Sequence, residues 1–235
     1  MFNCLCGGGE CVFCADGPSA AGLNARAQCA LRGMVHRAHY GAHETLVREG
    51  EPRTHFFVLR SGYVKFTSML TNGRAQITGL RRCGQLVGFA WDDVTYPYTA
   101  TALIDVEVCQ IAHKAALQVL QEKSAVTLRI VQRVAEELAQ ARALIRDLGG
   151  KNAHERIASF ILSLCPSDVE PTEVLPFPLT RQEISELLGL TRETVSRVIS
   201  EFTQERLIET SHRGVCVLAP ARLRTLAMGA QPENT

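Results

Sequence analysis

Glycines recur at positions 50, 62, 73 and 84, at spacings of 12, 11 and 11. No other feature limits the fold as much. Each glycine sits in a turn signal: Glu49-Gly50-Glu51, Ser61-Gly62, Asn72-Gly73 and Cys83-Gly84. Between them lie runs with strand character: Phe56-Phe57-Val58-Leu59, Tyr63-Val64-Lys65-Phe66 and Ala75-Gln76-Ile77-Thr78. Short strands at this rhythm predict an antiparallel sandwich or barrel across 43–112. The spacing is too irregular for a true repeat.

After 112 the pattern changes and 113–148 reads as helix. Val131, Val134, Leu138, Ala141, Ile145 and Leu148 are separated by 3, 4, 3, 4 and 3 residues. That is a narrow a/d heptad seam, flanked by Glu136, Glu137, Arg142 and Arg146. Such a stripe suits pairing with the same helix of a second copy, giving a homodimer. Packing on the chain's own domain is the alternative. Gly149-Gly150 is expected to stop the helix and act as a hinge. A further helix is expected over 152–164, and the Pro/Glu-rich 166–178 stretch reads as a linker. At the other end, 1–22 reads as Cys- and Gly-rich loop, and 23–37 as a short amphipathic helix.

The stretch 179–208 carries two helices and a turn. Thr180 with Glu183 three residues on forms a capping box, and Ile184, Leu187 and Leu188 make an apolar face. Gly189 supplies the turn, Thr191 caps the next helix, and Val195, Val198, Ile199 and Phe202 are its buried side. Two short helices joined by a glycine turn are the helix-turn-helix signature. Glu193, Ser196 and Arg197 share one outer surface, with Arg192 beside them. In a major groove Arg pairs with guanine, Glu accepts from cytosine, and Ser serves either base type. Thr180 and Arg181 are positioned for phosphate contact. The competing interpretation is a solvated face held by a Glu193–Arg197 pair at i, i+4.

Charge gives this interpretation no help. The whole chain has a formal net charge of +1, and residues 151–235 carry nine Lys and Arg against eleven Asp and Glu, a net of −2. DNA binding must therefore rest on where a few side chains point. No stretch approaches a membrane span, and 1–14 lacks the basic and apolar regions of a signal peptide. A cytoplasmic protein is expected. Structural disulfides are rare there, yet the chain has nine cysteines, four of them at positions 4, 6, 11 and 14. Such crowding points to metal or redox chemistry. Zinc and a thiol switch are both compatible with it. An enzyme is not expected, since no G-x-G-x-x-G, P-loop or triad is present.

From Thr180-Arg181-Gln182-Glu183-Ile184 to Leu190-Thr191-Arg192-Glu193-Thr194-Val195-Ser196-Arg197, the sequence resembles the Crp/Fnr family of bacterial regulators. The likeness covers most of the chain after about residue 23. Gln76-Ile77-Thr78-Gly79-Leu80, Gly84-Gln85-Leu86-Val87-Gly88-Phe89 and Lys151-Asn152-Ala153-His154-Glu155-Arg156 resemble its FNR branch. The implied fold is α+β: a cyclic-nucleotide-binding-like antiparallel β-barrel of jelly-roll type, a long dimerisation helix and a C-terminal winged helix-turn-helix. The implied divisions are a cysteine-rich segment at 1–22, a sensor barrel at 23–112, the dimerisation helix at 113–148, the DNA-binding domain at 149–225 and a tail at 226–235.

The resemblance implies DNA-reading residues Glu193, Ser196 and Arg197 on TTGAT-like inverted repeats. Arg192 is the position that instead resembles the cyclic-AMP branch. It also implies RNA polymerase as a partner. Val106-Glu107-Val108-Cys109-Gln110-Ile111 matches the strand bearing the distant fourth ligand of an oxygen-responsive [4Fe-4S] cluster. The implied ligands here are Cys6, Cys11, Cys14 and Cys109, with Cys4 as the alternative to Cys6. The order Cys4-x-Cys6-x4-Cys11-x2-Cys14 departs from the branch, in which C-x2-C comes first. Cyclic nucleotide is not expected, because Phe89-Ala90-Trp91 and Tyr96-Pro97-Tyr98-Thr99 lack the phosphate-binding Arg. The seam has no acidic residue and Ala141 at its middle, so pairing is expected to persist without the cluster.

Overall fold

A computed structural model of the chain describes residues 35–90, 94–122, 124–165, 174–175, 179–211 and 214–229. Its contacts divide it into two units, 1–139 and 140–235.

Eight strands build the first unit: β1 (Val35–Tyr40), β2 (Thr45–Val47), β3 (His55–Ser61), β4 (Val64–Met69), β5 (Ala75–Arg81), β6 (Leu86–Val87), β7 (Thr99–Ala102) and β8 (Val106–Ala112). They form two antiparallel four-stranded sheets, ordered β1-β8-β3-β6 and β2-β7-β4-β5. This is the jelly-roll order, so the expected all-β sensor fold is present. The glycine rhythm marks its turns: Gly50, Gly62, Gly73 and Gly84 all take positive φ.

The barrel core alternates as strand geometry requires. In β8, Val106 and Val108 join Phe57, Leu59, Val64 and Phe66 in the central apolar cluster, while Glu107 points outward to solvent. Cys109 and Ile111 belong to the opposite face of that sheet and are also buried, at 2% and 1% exposure. β3 is apolar on both faces, and its Phe56 meets Phe89 edge-on at 5.3 Å. Residues 35–37 are the end of the amphipathic helix expected over 23–37, whose other residues lie outside the described ones. These three are strand, because Val35, His36 and Arg37 pair with Ile111, Gln110 and Cys109 of β8.

Gly62 is the tightest of the turn glycines. A methyl group there would lie 2.5 Å from the Asp105 carbonyl and from Val106 Cγ1, at φ +83. Gly73 has a similar φ of +78 but open space around it. Gly62→Ala is therefore expected to cost about 3 kcal/mol or more, strain plus overpacking. Gly73→Ala should cost only about 1 kcal/mol. Paired chemical denaturation curves check the difference; equal losses would remove the steric argument.

Two helices follow the barrel, α1 (His113–Glu122) and α2 (Ser124–Gly150). The helix expected over 113–148 falls on these two, and residue 123 between them lies outside the described residues. Gly149 and Gly150 lie inside the last turn of α2, without positive φ, and Lys151 N still bonds to Asp147 O at 3.1 Å. The stop is one residue later: Asn152 opens α3 (Ala153–Leu164) with a capping box to Glu155. A cap with its own hydrogen bonds ends α2 more firmly than the glycines do.

Within the first unit, α2 is tied to the barrel by Glu137. One carboxylate oxygen accepts from Leu86 N at 3.0 Å and the other from Arg81 Nη2 at 3.2 Å. Arg81 also lies over the Phe66 ring at 4.5 Å, and Phe66 stacks on Tyr98 at 3.9 Å. Tyr98 Oη accepts from Gly88 N, and burial pushes its phenol upward from the ordinary value. None of the described helices is long and apolar enough to cross a membrane.

Candidate nucleic-acid interface

The second unit is built on α3, α4 (Arg181–Leu188), α5 (Arg192–Gln204) and α6 (Pro220–Ala227), with a sheet of β9 (Val174–Leu175), β10 (Ile208–Ser211) and β11 (Gly214–Val217). The sheet order is β10-β11-β9. β10 and β11 form the antiparallel hairpin expected of a wing; its tip, 212–213, lies outside the described residues.

Local chemistry fixes the two central helices. Thr180 Oγ1 accepts from Glu183 N at 3.2 Å, and Glu183 Oε2 accepts from Thr180 N at 2.8 Å. The capping box read from the sequence is thus complete, satisfying two donors that a helix start leaves open. Gly189 ends α4 at φ +61, ψ +42, a conformation glycine adopts without strain. Arg156 of α3 donates from Nη1 to Leu188 O at 3.0 Å, bracing that turn from outside. Thr191 Oγ1 then accepts from Thr194 N at 3.1 Å and opens α5. Val195, Val198, Ile199 and Phe202 are all buried, which turns the remaining side of α5 outward.

That side carries the residues singled out from the sequence. Arg192, Glu193 and Arg197 are exposed, and Ser196 is half-buried between them. They form one continuous edge over the first two turns of the helix. Glu193 has no ion-pair partner among the described residues, so the Glu193–Arg197 bridge of the competing interpretation does not form. Arg197 turns the other way along the helix: its Nη1 donates to Glu201 Oε1 at 3.0 Å. Glu201 Oε2 meets His154 Nε2 of α3 at 2.6 Å. These hydrogen bonds hold the Glu201 carboxyl below the usual carboxylate range, His154 contributing most and Arg197 next. Glu201 and His154 were not singled out from the sequence. The i, i+4 spacing of Arg197 and Glu201 was visible there, whereas His154 lies 47 residues from Glu201.

At the start of α4, Thr180 is exposed, but its hydroxyl is engaged with Glu183 as both donor and acceptor. Arg181 is half-buried, and desolvation pulls its guanidinium below the ordinary value. Of the proposed cluster ligands, Cys109 is in the central strand β8. Cys4, Cys6, Cys11 and Cys14 lie outside the described residues. The described residues contain no group of three or more metal-ligating side chains. Of the α2 seam, Val131 (57%), Val134 (42%), Leu138 (49%) and Ile145 (69%) are exposed, as is Ala141, and Leu148 is half-buried. An apolar stripe this open is unusual on a helix that packs only within its own chain.

A capped helix pair whose second member offers Arg, Glu and Ser outward, followed by a hairpin wing and preceded by a jelly-roll domain, defines a DNA-binding transcription regulator rather than an enzyme. Comparison with known proteins agrees. The Crp-like helix-turn-helix domain matches residues 155–226, and the cyclic nucleotide-binding domain matches residues 37–123. The nitrogen fixation regulation protein FixK of Bradyrhizobium diazoefficiens is 31% identical over 222 residues, covering 92% of this chain and 93% of that protein. The transcriptional activator protein FnrA of Stutzerimonas stutzeri is 32% identical over 191 residues, covering 80% and 78%. The solved structure of FixK2 from Bradyrhizobium japonicum superposes with a TM-score of 0.74 at 26% identity, covering 82% of this chain and 96% of that one. The chain belongs to the Crp/Fnr family of transcription regulators.

Proposed function

We propose that this regulator binds TTGAT-like inverted repeats as a homodimer under low oxygen, and that it responds to oxygen through a [4Fe-4S] cluster. The observation that carries the DNA half is the outward edge of α5, where Arg192, Glu193, Ser196 and Arg197 stand on a helix capped at Thr191 and braced through Arg156. Arg197 supplies donors for guanine, Glu193 an acceptor for cytosine, and Ser196 a small adaptable hydroxyl. Arg181 is the better candidate for the phosphate backbone; Thr180 keeps its hydroxyl in its own cap. The exposed seam of α2 supports pairing of two copies, which would set two α5 helices about one turn of DNA apart. RNA polymerase is the expected protein partner at a promoter.

The sensing half is supported by topology. β1 pairs with β8 so that Arg37 lies opposite Cys109. The four thiols at positions 4, 6, 11 and 14 precede β1 in the sequence, and β1 is the neighbour of the strand carrying Cys109, the distant ligand that the resemblance implies. Cys6, Cys11, Cys14 and Cys109 would hold the cluster, with Cys4 able to replace Cys6; thiolates are its ordinary ligands. When bound, it would supply an oxygen-labile tie between the N-terminal segment and the barrel. The barrel itself favours no cyclic nucleotide. Tyr96 and Tyr98 point rings into its interior, and the nearby Arg81 is committed to Glu137.

The test is anaerobic purification of the full chain, followed by its absorption spectrum and iron and sulfide assay. A brown protein with about four irons per chain, bleached by air, is expected of a cubane cluster. A colourless protein carrying zinc, or no metal, sinks the cluster and leaves the DNA half standing.

A further inference from the structure

The contact Arg197–Glu201–His154 is absorbed by neither the fold nor the base-reading edge. A surface pair at i, i+4 by itself contributes little. Three observations set this one apart. Arg precedes Glu along α5, the order that stabilises a helix less, so helix stability is a poor reason for it. The carboxylate is shared, with one oxygen on Arg197 and the other on a side chain from a different helix. That side chain stands beside the core: the His154 ring centroid lies 6.0 Å from that of Phe202, which is 1% exposed. A carboxylate only accepts, so Nε2 of His154 must carry the proton in this contact.

Consider what this does to Arg197. Its side chain is 59% exposed, and a long exposed side chain ordinarily samples many rotamers. Here Nη1 is engaged, while Nε and Nη2 have no partner among the described residues. Guanine is read by two donors aimed together at O6 and N7. Holding the guanidinium by one corner leaves the others aimed in a defined direction. The cost is an acid one helical turn from the reading edge, which repels phosphates from any DNA sequence alike.

We propose that Glu201, anchored by His154, is a specificity-determining positioning residue: it orients the Arg197 guanidinium for base reading and gives up non-specific affinity to do so. This rests on the assignment of Arg197 as a base reader. Neither Glu201 nor His154 touches DNA in this scheme.

The experiment uses the full-length protein, fluorescence anisotropy, and two duplexes, an inverted repeat of TTGAT half-sites and a scrambled control. Glu201→Ala is expected to bind the scrambled duplex as well as or better than wild type, while the ratio of specific to scrambled affinity falls about tenfold, within the worth of one base contact. His154→Leu should move the ratio the same way. His154→Gln should restore it, because its Nε2–H2 can donate to Glu201 from a similar position. A purely structural role predicts parallel losses on both duplexes and no rescue by Gln, and either result overturns the proposal. If Arg197→Ala loses discrimination while Glu201→Ala keeps the wild-type ratio, the positioning role is wrong and the base-reading assignment stands. If Arg197→Ala itself keeps the ratio, the base-reading assignment is wrong and the proposal falls with it.

Discussion

Arg197→Ala is expected to abolish most discrimination between the TTGAT-type inverted repeat and random DNA while leaving the fold intact. The side chain is more than half exposed, so its removal should change stability by less than about 0.5 kcal/mol. Each good base contact contributes roughly 1–3 kcal/mol of discrimination. A dimer makes the contact twice, so the specificity ratio should fall by about 30-fold at the least and on the order of 10⁴-fold at the most. The salt dependence separates this from a phosphate role. A base-reading arginine leaves the slope of log affinity against log salt nearly unchanged, whereas losing a phosphate contact lowers it by about 0.9 per contact. Equal weakening on both duplexes with a shallower slope would make Arg197 a backbone anchor instead.

The second large effect is expected at the helix seam. Leu138→Glu places a carboxylate at the middle of the apolar stripe of α2. In a single copy the change is mild, because Leu138 is already 49% exposed. Between paired helices it would bury two facing acids without partners, at a cost of about 3–5 kcal/mol or more. Sizing should therefore show a monomer with an unchanged circular dichroism spectrum. Affinity for the inverted repeat should collapse to that of one half-site, since the two recognition helices are no longer linked. A variant that remains dimeric would place the pairing surface elsewhere.

The elements legible in the sequence were those set by local chemistry. The three barrel strands read from apolar runs are β3, β4 and β5, each joined to its neighbour by a short turn. Both caps of the helix pair, at Thr180 and Thr191, and the left-handed turn at Gly189 need only nearby residues, and all three form as read. β1 is not legible because its partner is β8, some 70 residues away; its adjacent His36 and Arg37, and His39, are all exposed, so the segment shows no apolar alternation of its own. The glycine stop after 148 was placed early, since Asn152 and Glu155 form a stronger signal just beyond it. At the interface, the exposed edge of α5 followed from periodicity. The choice of Arg197 for Glu201 over Glu193 did not, because it depends on a histidine that only the packing of α3 against α5 brings near.

The Glu137 contact also bears on how such regulators can be taken apart and recombined. Leu86 N and Arg81 draw their acceptor from a helix that starts a dozen residues after the barrel's last strand ends, so a fragment cut at 112 would lose that acceptor at a partly enclosed spot. The exchangeable cassette therefore extends through the first half of α2, to about residue 139, where the two units divide. Chimeras spliced there would carry their own latch with them. Those joined at the end of the last strand would have to borrow one from a foreign helix whose register was never matched to it.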